Sequence, residues 1–171
     1  MIELSPNAIN RTASYSVIPV GTMAFRFITE KSLVYEVGFV EDYSFLEENA
    51  YQFYLKEITG SSAPTDIKIM LTVGAIIEEF FAKNQSVMLY ICDTSDGRQA
   101  ARDRKFLGWF ENAENKKKYT LLHCTAKFDG VGYFTAILIK NDNPDLEDIK
   151  KAYDDYKQQI KDKFPDVTIQ A

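Results

Sequence analysis

The 171-residue chain predicts an α+β fold, a mostly antiparallel sheet packed by three main helices. Three observations carry that reading. Apolar and polar residues alternate with period 2 in short runs near the start and again around 119–140. Three longer segments repeat apolar residues at helical spacing. The order is several strands, helix, strand, helix, two strands, helix, with no repeat, low-complexity tract or linker between them. One α+β domain over 13–165 is therefore expected, with an irregular segment at 1–12 and a tail at 166–171.

Each element has its own signature. A first strand is expected at 14–18. The runs 23–28 and 33–40 flank the polar Thr29-Glu30-Lys31-Ser32, with Phe25 and Phe27 alternating in one and Leu33, Tyr35, Val37 and Phe39 in the other, which reads as a hairpin. The acidic stretch 41–49 reads as a loop or short helical turn. A strand near 51–58 then carries Tyr51, Phe53 and Leu55 on one face. Thr65 or Asp66 caps a helix over 66–84, whose stripe of Ile69, Met70, Val73, Ile76, Ile77, Phe80 and Phe81 faces a core. The apolar run 87–92 reads as a central strand. A helix over 98–113 turns Phe106, Trp109 and Phe110 inward. Strands at 119–128 and 133–140 are joined by Asp129-Gly130, a hairpin dipeptide. Asn143 and Pro144 supply an N-cap and a first-turn proline for a helix over 144–164, and Pro165 ends it.

Composition narrows the function classes. The formal charge of −5 disfavours nucleic acid and anionic membranes as partners. No window approaches the roughly 20 apolar residues of a membrane span, and the first residues lack the basic start of a signal peptide. Cys92 and Cys124 lie in apolar strand-like runs, where cysteine acts as a small hydrophobe. With one histidine, His123, a Cys/His zinc site is not expected, and the cysteine usage reads as a reducing, cytoplasmic compartment. No phosphate-binding glycine loop, dinucleotide fingerprint, zinc-protease or hydrolase-elbow motif is present. No catalytic residue, metal or cofactor is expected.

The most informative stretch runs Leu89-Tyr90-Ile91-Cys92-Asp93-Thr94-Ser95-Asp96-Gly97-Arg98-Gln99-Ala100-Ala101-Arg102-Asp103-Arg104. A strand ends at an aspartate, a polar turn follows, and a helix opens with three arginines. The carboxyl ends of strands are where α/β folds often bind ligands. On a wheel at about 100° per residue from Arg98, Arg102 falls at about 40° and Gln99 at about 100°, on the buried or half-buried side, while Arg104 faces solvent at about 240°. Arg102 is expected to be mostly buried and paired with Asp93 or Asp96. Two readings stand. In one, the pair locks the strand–helix junction, with Thr94, Ser95 and Asp96 as N-caps. In the other, Asp93, Thr94, Ser95, Asp96, Arg98 and Arg102 form a ligand site in which Arg98 and the free helix amides face an anion. Lys116, Lys117 and Lys118 read as a solvated turn.

The helix over 66–81, that junction and the run 106–110 together resemble an uncharacterised bacterial family of unknown function, a resemblance that implies no activity. The element order is also similar to the core of the GNAT acetyltransferase fold, with Leu107-Gly108-Trp109-Phe110 similar to that fold's leucine-glycine-phenylalanine helix end. That resemblance implies a coenzyme A pyrophosphate site on the loop before the first long helix, here Ser61, Ser62 and Thr65, and a general acid at Tyr119 or Tyr133. The loop carries one glycine, Gly60, where the acetyltransferases have several.

The expectation is a non-catalytic cytoplasmic protein acting by binding a small ligand, another protein or a second copy of itself. The alternative is a divergent acyl-CoA-dependent N-acyltransferase.

Overall fold

Phe25 and Phe27 on one strand oppose Val37 and Tyr35 on the next, and that register organises the first of two units in the chain. A computed structural model describes residues 3–60 and 66–170. The first unit takes Met1–Val40 with Phe53–Asn84, the second Glu41–Gln52 with Gln85–Ala171.

In the first unit β1 (Ile18–Gly21), β2 (Ala24–Ile28), β3 (Val34–Glu41) and β4 (Ala50–Glu57) follow one another in the sheet. The β1–β2 and β2–β3 pairs are antiparallel, as the hairpin reading requires. Phe25, Phe27, Tyr35, Val37, Phe39 and Phe53 are buried with Ile69, Val73, Ile76, Phe80 and Phe81 of α2 (Ile67–Lys83). Phe39 stacks on Phe80 at 4.2 Å, and Tyr15, Phe27 and Tyr35 form a stack with centroids 5.8 and 5.4 Å apart. Such ring pairs add about 0.5–1.5 kcal/mol each beyond their burial. Gly38 is dictated by a close approach: a Cβ there would sit 2.6 Å from the Tyr54 hydroxyl, which donates to Glu36.

Two readings of this unit change. Strand β1 begins at Ile18 rather than occupying 14–18. The Asn10 side chain clamps both backbone groups of Val17, at 2.7 and 3.1 Å, so they need no sheet partner. The segment read as irregular holds a short helix, α1 (Pro6–Ile9). Ser5 accepts from Ala8 N–H, Pro6 opens the helix, and the buried Glu79 of α2 accepts from Ser5 N–H at 3.0 Å.

In the second unit β5 (Val87–Ile91), β7 (Val131–Lys140), β6 (Tyr119–Phe128) and β8 (Thr168–Gln170) follow one another in the sheet. The β5–β7, β6–β7 and β6–β8 pairs are antiparallel. Asp129 and Gly130, with φ of 49° and 78°, make the tight turn between β6 and β7. A helix lies against each sheet face. Ile149 and Tyr153 of α4 (Leu146–Lys163) pack with Ala50, Val87, Leu89, Cys124, Ile137 and Ile139. On the other face α3 (Gln99–Asn112) packs on β7, and its Phe106 stacks on Tyr90 of β5 at 4.1 Å.

Here too the ends differ from the sequence reading. Asn143 and Pro144 form a turn before α4, which starts at Leu146 behind Asp145. Asn143 is buried and occupied elsewhere: its amide donates to Gln85 O at 2.5 Å and its oxygen accepts from Asp145 N–H at 2.8 Å. The tail forms β8, where Val167 is buried and Phe164 meets Phe128. Three residues are too few to display an alternation. Lys116–Lys118 form a turn of 3-10 helix, with Lys116 paired to Glu111.

Candidate functional site

Cys92 continues the β5 ladder by donating its N–H to Phe134 O at 3.1 Å, and the chain leaves the sheet at Asp93. The Asp93 carboxylate accepts from the Ser95 N–H and hydroxyl, at 2.9 and 2.8 Å, which hold it below the usual carboxylate range. Gly97 N–H closes the turn onto Thr94 O. Asp96 accepts from both terminal nitrogens of Arg102, at 2.7 and 2.6 Å, and from Arg98 N–H at 3.0 Å. Those bonds, led by the guanidinium, draw its pKa down to about 2. Arg102 also donates to Asp93 O at 2.9 Å, so one side chain ties the strand end to the turn.

The structure brings together Asp93, Ser95, Asp96 and Arg102 in this network, but not as a buried pair. The Arg102 side chain is 36% exposed and that of Asp96 41%. Arg102 lies on the flank of α3, while the side against the sheet is filled by Gln99, Asp103 and Phe106. The capping expectation also changes. Helix α3 begins at Gln99 behind Arg98, with no side-chain cap and no acidic residue in its first turn. The carboxylates serve the turn instead. The first carbonyl in the helix, that of Arg98, accepts from Ala101 and Arg102 N–H, leaving the Gln99 and Ala100 amides at the open end.

Beside those amides runs a basic stripe. At about 100° per residue, Arg98, Arg102, Lys105 and Trp109 share one side of α3. Arg102 is neutralised by Asp96. Arg98 and Lys105 make no ion pair among the described residues, and both residues are exposed. Partial desolvation, then the positive charges of Arg98 and Arg102, push the Lys105 ammonium below its ordinary pKa.

A polar layer lies between α3 and the sheet. Tyr90, Ala136 and His123 stand in one row across β5, β7 and β6. Above it, the buried Asp103 meets His123 Nε2 at 2.8 Å. Gln99 donates to Gly132 O at 3.3 Å, while its buried side-chain oxygen has no partner among the described residues. Burial raises the Tyr90 phenol strongly and the Cys92 thiol as well, the latter opposed by a hydrogen bond from Tyr90. Both cysteines are free and buried, and burial also raises Cys124. These are poor conditions for a thiolate. The sequence reading passed over Asp103, yet the wheel contained it: at about 140° it lies beside Gln99 at about 100° and Phe110 at about 120°.

Ser61, Ser62 and Thr65 lie outside the described residues. Tyr133 is 42% exposed on β7, and Tyr119 is half-buried at the start of β6. Asp66 caps α2, accepting from Ile69 N–H at 2.9 Å and from the Tyr15 hydroxyl at 2.8 Å. Burial opposes its charge, but those bonds, with Lys68 nearby, hold its pKa below the ordinary value.

A family of unknown function, DUF6169, matches residues 65–155, more than half of the chain. The chain belongs to that family. No curated protein and no solved structure matches it. The DUF6169 segment contains the whole β5–α3 junction, the basic stripe and the Asp103–His123 pair, and stops within α4. Among the described residues, no helix is long and apolar enough to cross a membrane, and no group of three or more His, Cys, Asp or Glu side chains is placed to hold a metal.

Proposed function

We propose that this DUF6169 protein acts in the cytoplasm by binding rather than by catalysis, and that it takes an anionic group at the β5–α3 junction. One observation carries the reading: α3 opens without a cap or first-turn acid beside two cations, Arg98 and Lys105, that make no ion pair among the described residues, although Asp96 attracts Arg98. Free helix amides and the helix dipole favour negative charge at that place. Desolvation lowers the Lys105 pKa first and repulsion from Arg98 and Arg102 adds to it; an anion there relieves the second cause. The Asp93–Ser95 and Asp96–Arg102 contacts hold the turn in shape beneath it, with Thr94 as the carbonyl that closes it. The ligand is a phosphate or carboxylate, carried by a small molecule or by a protein partner.

Titration with inorganic phosphate, followed by amide NMR, tests this. The Gln99 and Ala100 amides should shift together and saturate in the millimolar range, about −4 kcal/mol. Shifts spread over unrelated lysines, or none at all, would remove the site.

The acyltransferase reading rests on element order alone. Against it, the Asp66 carboxylate already occupies the α2 N-terminus, where the pyrophosphate of coenzyme A would need the amides. Calorimetric titration with acetyl-CoA should show no micromolar binding, and binding in that range would restore the reading.

A further inference from the structure

A cleft lies in the second unit, away from the β5–α3 turn, and nothing in the anion-binding reading uses it. Residues Tyr43 to Glu47 face α4 across a cavity of about 190 Å³, with Ala152, Tyr156 and Gln159 on the helix side. Three aromatic side chains, Tyr43, Phe45 and Tyr156, stand among its otherwise mixed walls. The Phe45 ring meets Tyr153 edge-on at 6.0 Å and Tyr156 at 6.2 Å. Tyr43 is 66% exposed at the mouth, and its hydroxyl donates to Glu41 at 2.6 Å. Asp42 fixes the loop by accepting from the Ser44 N–H and hydroxyl and by donating its own N–H to Ala50 O.

The loop that walls one side of this cleft carries charge of one sign. Glu41, Asp42, Glu47 and Glu48 fall within one short segment, and no lysine or arginine occurs between Lys31 and Lys56. None of those four carboxylates makes an ion pair among the described residues. On α4, Lys157 is engaged by Asp154 at 2.6 Å and sits 5.3 Å over the Tyr153 ring. That contact shows an ammonium already held on an aromatic face of this layer.

We infer that the cleft walled by Tyr43, Phe45 and Tyr156 and rimmed by Glu47 binds an alkylammonium group. Aromatic faces attract cations through their quadrupole, and adjoining carboxylates add selectivity against neutral molecules. The volume decides the size of the guest. Drug-sized ligands fill about 300–1,000 Å³, whereas this space suits one ammonium head with a short aliphatic stem. A phosphate or carboxylate is excluded by the same carboxylates.

The test is NMR titration of the full chain with n-butylammonium, with n-butanol as the neutral isostere. Saturable shifts at Ala152 and Tyr156 with the amine, and none at equal n-butanol concentration, support the site. Equal response to both overturns it, leaving an apolar slot. Glu47→Gln should weaken the amine about threefold, as loss of one exposed charge does, and Tyr43→Ala should weaken it without unfolding, since that ring is largely in solvent. Asp129→Asn, which removes the same charge at the β6–β7 turn, should leave binding unchanged; an equal loss there reduces the effect to net charge and overturns the site. The tripeptide Gly-Lys-Gly separates the sources: tighter binding than n-butylammonium assigns a lysine side chain of a partner, weaker binding a free amine.

Discussion

Two long helices of this chain begin in opposite ways. Helix α2 starts behind Asp66, in extended backbone with φ −96° and ψ 169°, whose carboxylate takes the Ile69 amide and the Tyr15 hydroxyl. Helix α3 starts behind Arg98, at φ −99° and ψ 11°, with no side-chain bond to its amides. Both helices pack inward on aromatic residues. The difference lies in who satisfies the first amides. At α2 the protein supplies the anion itself, and the helix start is committed to stability. At α3 the nearby carboxylates are turned back into the loop, and the amides stay open beside unpaired positive charge.

Removing the internal anion is the most damaging way to test that contrast. Asp66→Ala deletes an N-cap and one partner of the Tyr15 hydroxyl, which keeps its hydrogen bond with the Glu30 backbone. Cap loss costs about 1–2 kcal/mol. A urea unfolding midpoint should fall accordingly, while Asp66→Asn, which keeps an oxygen for the Ile69 amide, should recover most of the loss. A midpoint indistinguishable from the parent would mean that α2 does not depend on its own cap.

Arg102→Ala should give a smaller loss. Breaking a fully buried pair costs about 3–5 kcal/mol, but Arg102 and Asp96 are both partly in water, so the midpoint should move much less than that. The pH dependence fixes the sign. Asp96 has a folded pKa of about 2 against an ordinary 3.8, so its contribution is present above the higher value and is lost as pH falls toward the lower. Parent and variant should therefore differ at pH 5 and converge as the pH drops through that window. A difference that persists at pH 2 would assign the effect to the Arg102 bond with Asp93 O instead.

How much of this was legible follows from the kind of signal. Phe25, Phe27, Tyr35, Val37 and Phe39 alternate over enough residues to fix both a hairpin and its inner face, and Asp129-Gly130 carries its turn in two residues. Short elements anchored by distant groups were not legible. Val17 stays out of a strand because of Asn10, and β8 exists because β6 offers an edge to it. The site was legible in part. That Arg102 would find Asp93 or Asp96 followed from proximity in sequence, but which of the two, and its exposure, depended on the turn and on which side of α3 met the sheet. The wheel places Gln99 and Asp103 on the inner side of α3, but no sequence spacing links Asp103 of α3 to His123 of β6. The aromatic cleft joins a loop to a helix that is remote in sequence, so its walls were visible only as an acidic loop and a helical stripe.

The smallest expected change in stability comes from giving α3 what α2 already has. Arg98→Asp places a carboxylate at the start of an uncapped helix. With ψ at 11° rather than extended, that carboxylate is not set to bond the third amide as Asp66 does. It gains chiefly from the helix dipole, about 0.3–1 kcal/mol, and gives back part of that by facing Asp96. The unfolding midpoint should stay within about 0.5 kcal/mol of the parent. Phosphate binding should vanish, because the variant removes a cation and installs an anion at the same amides. Arg98→Ala serves as the intermediate case, weakening phosphate while leaving the amides open. If Arg98→Asp binds phosphate as the parent does, the open start of α3 is not a site, and the two helix beginnings differ only in how each turn happens to be tied.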